Sequence, residues 1–345
     1  MKKSDLKLEK NPQKPLLVAE ISANHKQNLK IAKESIYKAK LAGADSVKIQ
    51  SYEASCLTLD SESEIFKIKS GLWAGRGLFE LYEEAYLPWE WHEELFAYAR
   101  EIGIELFSTP FSLKALESLE DLSCPRYKIA SFELIDPSFI YEVARTQKPL
   151  ILSTGIATES EIAEALEACH RAGNEDITLL QCTSAYPARI EDANLLAMLS
   201  LGARFGVKYG LSDHTLGTLC AVVATSLGAS LIEKHFIIDK NLGGVDSAFS
   251  MDFEEFSALS RAISEAYGSL GGGELRQEES VGGRVFARSL FVKKAVRKGE
   301  VLSGENIGSF RPYVGLHPRH LPEVLGRRAK RDLALGTPLS FEDFE

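Results

Sequence analysis

The chain of 345 residues has few cysteines, no long apolar run and no surplus of basic charge. Its five cysteines, Cys56, Cys124, Cys169, Cys182 and Cys220, are odd in number, widely spaced and never in a C-x-x-C pair. That offers no disulfide framework and fits small buried hydrophobes in a reducing cytoplasm. No apolar stretch approaches bilayer-spanning length, so no membrane segment is expected. The start, Met1 to Lys14, is lysine-rich without an apolar h-region and reads as a polar leader (1–14), not a signal peptide. Forty basic against 49 acidic residues leave a formal charge of −9. A broad positive field for nucleic-acid backbones is therefore missing, although a small anion needs only a few local cations.

What is present is a large core and a rhythm. Hydrophobic residues make up 45% and charged residues 26%, as in ordinary globular proteins. Eight short apolar runs recur: Leu16–Ser22, Ser46–Tyr52, Ile104–Pro110, Tyr127–Ser131, Leu150–Gly155, Ile177–Thr183, Tyr209–His214 and Leu231–Ile238. Helical periods lie between them, such as Ala32, Ile36 and Ala39 closed by Gly43, or the acidic first turn Thr158-Glu159-Ser160-Glu161. Eight strand–helix units over roughly 250 residues predict a (β/α)8 TIM barrel at 15–270, with an open doubly wound sheet as the runner-up. The long connection from Glu53 to Gly77 predicts an ordered loop over the barrel mouth. Glycine-rich linker composition spans 271–284. The remaining 285–345 has β-rich pieces such as Ser289-Leu290-Phe291-Val292 and makes a small domain with a marginal core of its own.

In a barrel, side chains at the carboxyl ends of the strands converge on one site. Polar residues there are Glu20 and Ser22, Lys48 and Gln50, Ser108 and Thr109, then Lys128, Ser131 and Glu133. Ser153 and Thr154, then Thr183, Ser184 and Tyr186, then Ser212 and His214, then Glu233 and His235 complete the ring. Two lysines with several hydroxyls suit a phosphate or carboxylate. Neighbouring strands lie about 4.8 Å apart, so His214 and His235 at matching height can share one ion. Two nitrogen donors suit Mn²⁺ or Mg²⁺ better than a closed zinc site, with Co²⁺ a third candidate. Asp213 or Glu233 would orient an imidazole. Each histidine alone also fits a core residue bonded to backbone. Glu20, a carboxylate in an apolar strand, fits proton transfer or an ion pair with Lys48. Asp246 suits sugar hydroxyls or a plain turn, and spacing alone marks Arg311 as a surface arginine.

These residues, in this order, resemble the sialic acid synthase family, which condenses phosphoenolpyruvate with an amino-sugar aldehyde. The motifs are Ala19-Glu20-Ile21-Ser22-Ala23-Asn24-His25, Val47-Lys48-Ile49-Gln50, Ser108-Thr109-Pro110-Phe111 and Tyr127-Lys128-Ile129-Ala130-Ser131. Leu152-Ser153-Thr154-Gly155, Ser212-Asp213-His214-Thr215 and Glu233-Lys234-His235-Phe236 continue the match over nearly the whole chain. The tail, through Lys298-Gly299-Glu300 to Arg311-Pro312, is similar to that family's antifreeze-like (SAF-type) domain. Ser55–Asp60, Gly71-Leu72-Trp73, Leu81–Tyr86 and Cys182–Pro187 look most like its pseudaminic acid branch. Sialic acid synthases usually carry asparagine where Ser184 stands.

The resemblance implies phosphoenolpyruvate at Lys48, Thr109, Lys128, Ser131, Ser153 and Ser212, and a divalent metal at His214 and His235. It implies sugar contacts from Gln50, Glu133, Ser184, Tyr186 and Asp246, and proton handling by Glu20. Arg311 would reach the acceptor's acetamido group across a domain-swapped homodimer. The implied acceptor is 2,4-diacetamido-2,4,6-trideoxy-L-altrose, with the N-acetylneuraminate and legionaminic acid branches as alternatives. Two readings of other classes stand beside it: a metal-free aldolase with Lys48, Lys128 or Lys234 as Schiff base, and a non-catalytic carbohydrate-binding scaffold.

Overall fold

The computed structural model describes residues 13–272 and 282–345. The expected polar leader up to residue 12, and residues 273–281 of the expected linker, lie outside the described residues. The chain divides into two compact units, Met1–Gly273 and Glu274–Glu345.

In the first unit eight parallel strands close into a barrel in chain order. They are β1 (Leu16–Glu20), β2 (Ser46–Ser51), β3 (Glu105–Pro110), β4 (Tyr127–Ile129), β5 (Leu150–Ser153), β6 (Ile177–Cys182), β7 (Lys208–Asp213) and β8 (Leu231–His235). Parallel strands covered on both faces read as continuous apolar runs, which is why the eight runs were visible. Helices pack outside, and Ile36, Leu95, Leu119, Ile140, Leu166 and Leu259 from them join Leu17, Val47, Leu106 and Leu179 in one core. The acidic turn before Glu159–Arg171 forms a full capping box between Thr158 and Glu161.

Closure comes from β1 pairing with both β2 and β8. The register sets Glu20 beside Lys48 on one side and beside His235 on the other. It likewise sets Ser212 beside Glu233. Because side chains alternate along a strand, Glu233 and His235 share the cavity side while Lys234 between them points to the other. Backbone pairing has therefore already placed acid, base and imidazole at one level.

The segment after β2 is ordered. It runs through a helical turn at Ala54–Leu57 and a 3-10 turn at Glu64–Phe66, then folds back through an antiparallel bridge between Lys67 and Gly77. Trp73 at its tip donates its indole N–H to the Val245 carbonyl at 3.0 Å. The predicted loop over the mouth thus closes on the connection that follows β8. Among the described residues, no helix is long and apolar enough to cross a membrane.

The second unit pairs β9 (Ser289–Val292) with β10 (Ile307–Phe310) in antiparallel fashion. Single bridges such as Val296–Leu333 and Ala329–Phe344 extend the network. Its core is small: Leu290, Val292, Leu302, Ile307, Val324, Leu333 and Leu339. Gly299, in the predicted turn, has φ +83°, a conformation glycine adopts without penalty.

Candidate active site

The carboxyl ends of the eight strands surround a cavity of about 800 Å³. Its charged floor begins with Lys48, whose Nζ lies 2.9 Å from Glu20 and 3.0 Å from Glu233. Gln50 donates to Glu20 at 3.2 Å and to Ser22 at 3.1 Å, and Ser212 donates to Glu233 at 3.2 Å. The two carboxylates behave oppositely. Burial lifts Glu20 above the usual carboxylate range despite Lys48. Burial also acts on Glu233, but Lys128 and Lys48 outweigh it and hold Glu233 low. A protonatable carboxyl and a fixed carboxylate thus flank one ammonium.

Lys128 is placed differently. Its Nζ donates to the Ile129 carbonyl at 3.1 Å, and among the described residues no carboxylate lies within ion-pairing distance. Burial pushes its ammonium down to about 8. Residues of the same cavity carry buried polar atoms with no hydrogen-bond partner among the described residues: Ser153 Oγ, Glu233 Oε2 and Glu133 Oε2. Each such buried atom costs about 1–3 kcal/mol if nothing meets it, so their convergence marks a place built for a ligand. Ser131 and Ser184 share a hydrogen bond of 2.9 Å, and Gly155 permits it, since an added Cβ would overlap both serines. Burial pushes Glu133 up to about 7.

The imidazoles of His214 and His235 face each other at 5.4 Å between ring centroids. Nδ1 of His214 lies 2.9 Å from the Thr183 carbonyl. A carbonyl only accepts, so that nitrogen carries the proton and Nε2 keeps its lone pair. Burial, first of all, holds both rings below the ordinary histidine range and hence neutral. Nδ1 of His235 is buried without a hydrogen-bond partner among the described residues. Two neutral imidazoles, one with an unspent nitrogen, fit a divalent cation. Among the described residues no group of three or more His, Cys, Asp or Glu gathers for an ion. The pair would therefore leave coordination positions open, as a catalytic ion requires and a structural one does not. Aromatic rings shield this end: Tyr186 is 4.4 Å from His214, and Phe249 is 4.9 Å from His235.

The cavity gathers Glu20, Lys48, Gln50, Lys128, Ser131, Glu133, Ser153, Ser184, Tyr186, Ser212, His214, His235 and Asp246. Asp246 is no plain turn residue, being buried and accepting from the Ser22 hydroxyl and the Ala23 amide. Thr109 is buried on β3 but does not line the cavity, against the expectation of direct contact. Arg311 is exposed, just beyond β10 in the second unit.

Three further expectations need correction. Asp213 does not orient His214: it pairs with Lys234 at 2.7 Å and accepts from Thr215. Glu233 makes no hydrogen bond to either imidazole: its Oε1 takes Lys48 and Ser212, and the Thr183 carbonyl orients His214. Lys234 cannot serve as a Schiff base, because it points away from the cavity and is held by Asp213 and the Thr215 and Gly217 carbonyls. Phe249 and the apolar wall from Tyr52, Leu81 and Tyr82 were missed. Only a lone aromatic after the glycine-rich 243–246 turn hinted at Phe249.

The NeuB family model matches residues 35–275, most of the chain. The chain belongs to the NeuB family. A SAF domain model matches 287–345, as the tail's resemblance implied. This NeuB-family chain is 54% identical to the pseudaminic acid synthase of Helicobacter pylori, over 96% of this chain and 98% of that one. It is 48% identical to the pseudaminic acid synthase of Campylobacter jejuni subsp. jejuni, over 96% and 97%. Among solved structures it is similar to the spore coat polysaccharide biosynthesis protein SpsE of Bacillus subtilis. That match has a TM-score of 0.67 and 31% identity, covering 97% of this chain and 96% of that one.

Proposed function

We propose that this NeuB-family chain is a pseudaminic acid synthase, a transferase that joins phosphoenolpyruvate to 2,4-diacetamido-2,4,6-trideoxy-L-altrose. The carrying observation is one cavity holding Lys128, which has no carboxylate partner among the described residues, together with an unspent hydroxyl and two neutral imidazoles. The relatives at 54% and 48% identity support the choice of acceptor.

Lys128, Lys48, Ser131, Ser153 and Ser212 bind the phosphate and carboxylate of phosphoenolpyruvate. Gln50, Glu133, Ser184, Tyr186 and Asp246 hold the acceptor. A divalent ion held by His214 and His235, with Mn²⁺, Mg²⁺ and Co²⁺ as candidates, would supply Lewis-acid polarisation of the aldehyde oxygen. The methylene carbon of phosphoenolpyruvate attacks the aldehyde carbon; the aldehyde C=O π bond opens to an alkoxide that takes up a proton to become a hydroxyl, and the enol carbon is left as an oxocarbenium. Water adds to that cation and gives its proton to Glu20, whose raised pKa suits a base working near neutrality. The tetrahedral intermediate then breaks its C–O bond and releases phosphate to the lysines. The enzyme works in the cytoplasm as a domain-swapped homodimer, with Arg311 of a second copy reaching the acceptor's acetamido group.

Phosphate release from phosphoenolpyruvate tests this directly. The altrose derivative should support turnover well above N-acetylmannosamine or the diacetamido precursor of legionaminic acid. A preference for either of those would overturn the acceptor assignment. His235→Ala should lose metal-dependent turnover, and full activity of that variant after chelation would sink the scheme. One observation favours a second reading: Lys128, pushed down to about 8, offers some free amine. Borohydride trapping of a keto substrate on Lys128, with turnover insensitive to EDTA, would establish a Schiff-base aldolase instead.

A further inference from the structure

The cavity has two chemically different walls. Strand ends supply the charged floor described above. A second wall comes from the segment between β2 and Leu87 and is mainly apolar: Leu57, Ile68, Leu72, Leu78 and Leu81 face the cavity, with Ser70 and Trp73 beside them. Tyr52 stands at its base, with Tyr82 at 6.0 Å and Phe111 at 5.3 Å between ring centroids.

Part of this wall is ordinary packing. Tyr52, Ala85 and Ala23 form a small buried cluster against which Leu57, Tyr82 and Phe111 rest. Ile68, Leu72 and Leu78 are different. Among the described residues they belong to none of the three hydrophobic clusters, yet they line the cavity. Among the described residues Leu72 is half exposed and Ile68 and Leu78 are partly so, at the tip and base of a hairpin closed by the Lys67–Gly77 bridge and tied to Val245 through Trp73. An apolar surface facing a substrate cavity is stabilised by apolar substrate groups.

We infer that Ile68, Leu72 and Leu78 form a methyl-reading subsite that selects acceptors whose end distal to the aldehyde is deoxygenated. The inference rests on the acceptor cavity proposed above. Phosphoenolpyruvate has no methyl group and belongs on the cationic floor, so the wall is left to the acceptor. A 6-deoxy sugar presents a methyl group there. A 6-hydroxy analogue would bury a hydroxyl against three aliphatic side chains with no donor or acceptor among them. Such a pocket discriminates by roughly 10- to 100-fold, the range expected for a hydroxyl meeting an apolar site.

Steady-state kinetics on the full chain, loaded with divalent metal, would compare 2,4-diacetamido-2,4,6-trideoxy-L-altrose with its 6-hydroxy counterpart. Wild type should prefer the deoxy sugar in kcat/KM by roughly 10- to 100-fold. Ile68→Asn and Leu72→Asn change partly exposed positions and should fold. Each should lower kcat/KM for the deoxy sugar, mainly through KM, and narrow the preference at least several-fold. The KM for phosphoenolpyruvate should not move. Turnover of the deoxy sugar with a preference unchanged in both variants would overturn the subsite while leaving the proposed reaction standing. Equal losses on both sugars would overturn it too, because they indicate damage to the hairpin or contact with the acetamido methyls that both sugars carry, and not a reading of the distal methyl. No turnover with either sugar would overturn the proposed reaction and the subsite together.

Discussion

Glu133 shows what burying a single carboxyl without a full set of partners costs. Burial raises its pKa to about 7 from the ordinary 4.5, and its Oε2 has no partner. Below pH 4.5 the carboxyl is neutral in both folded and unfolded chains and contributes nothing to pH dependence. As pH rises from 4.5 toward about 7, the folded chain holds the proton more tightly than the unfolded one. Stability therefore falls across that window and stays low above it. Glu133→Gln removes this loss. Relative to wild type it should be near neutral at pH 4.5 and more stable at pH 8, by on the order of 1 kcal/mol. Thermal melts of both proteins from pH 4.5 to 8 would check this, and parallel curves would refute it. Residues of this kind were legible in the sequence because the barrel rule sends strand-end side chains to one place. Which of them are paired is only partly legible: the Glu20–Lys48 pair is one of the two readings of Glu20, and the second carboxylate on Lys48 is not foreseen. Lys48 and Lys128 look alike in sequence, yet one is clamped by two carboxylates and the other by none.

Strand pairing adds what single residues cannot. The alternation along β8 is readable and puts Glu233 and His235 on one face, although the Schiff-base reading of Lys234 between them ignores that same alternation. The sequence did not say what lies behind the strand. There, Lys234 meets Asp213 of β7 at 2.7 Å, both essentially inaccessible, and its other protons go to the Thr215 and Gly217 carbonyls. One ammonium thus ties β8 to the loop leaving β7, directly beneath His214. Lys234→Met would leave the Asp213 carboxylate buried without its cation, a change that costs about 3–5 kcal/mol. Pairing it with Asp213→Leu should recover more than half of the loss, since an apolar pair no longer strands a charge. Urea denaturation of the single and double variants measures both values. A single variant within about 0.5 kcal/mol of wild type would show the pair to be dispensable. The hairpin over the mouth was the least legible element. Its conformation is held by contacts distant in sequence, Trp73 on Val245 above all, and it carries no helical or strand period to read.

At the scale of the whole molecule the two-unit organisation was legible from composition: a regular barrel, a glycine-rich stretch and a short β-rich tail. The proposed role of Arg311 was not, because nothing beside it in sequence marks it as more than a surface cation. The proposed domain-swapped dimer makes a prediction that a swap-free chain does not share. Arg311→Ala loses its arginine and His235→Ala its imidazole, so each homodimer should be nearly inactive. Co-expressed, they form mixed dimers in which one barrel keeps His235 and receives Arg311 from its partner, while the other lacks both. With random pairing about a quarter of all sites should be complete, giving roughly a quarter of wild-type phosphate release. If each chain supplied Arg311 to its own barrel, every site in every dimer would lack one group, and co-expression would restore nothing. Tagging one variant and purifying the mixed dimer sharpens the measurement, raising the expected share to about half of the sites. Activity of the purified mixed dimer no greater than that of either homodimer would rule out delivery of Arg311 between chains.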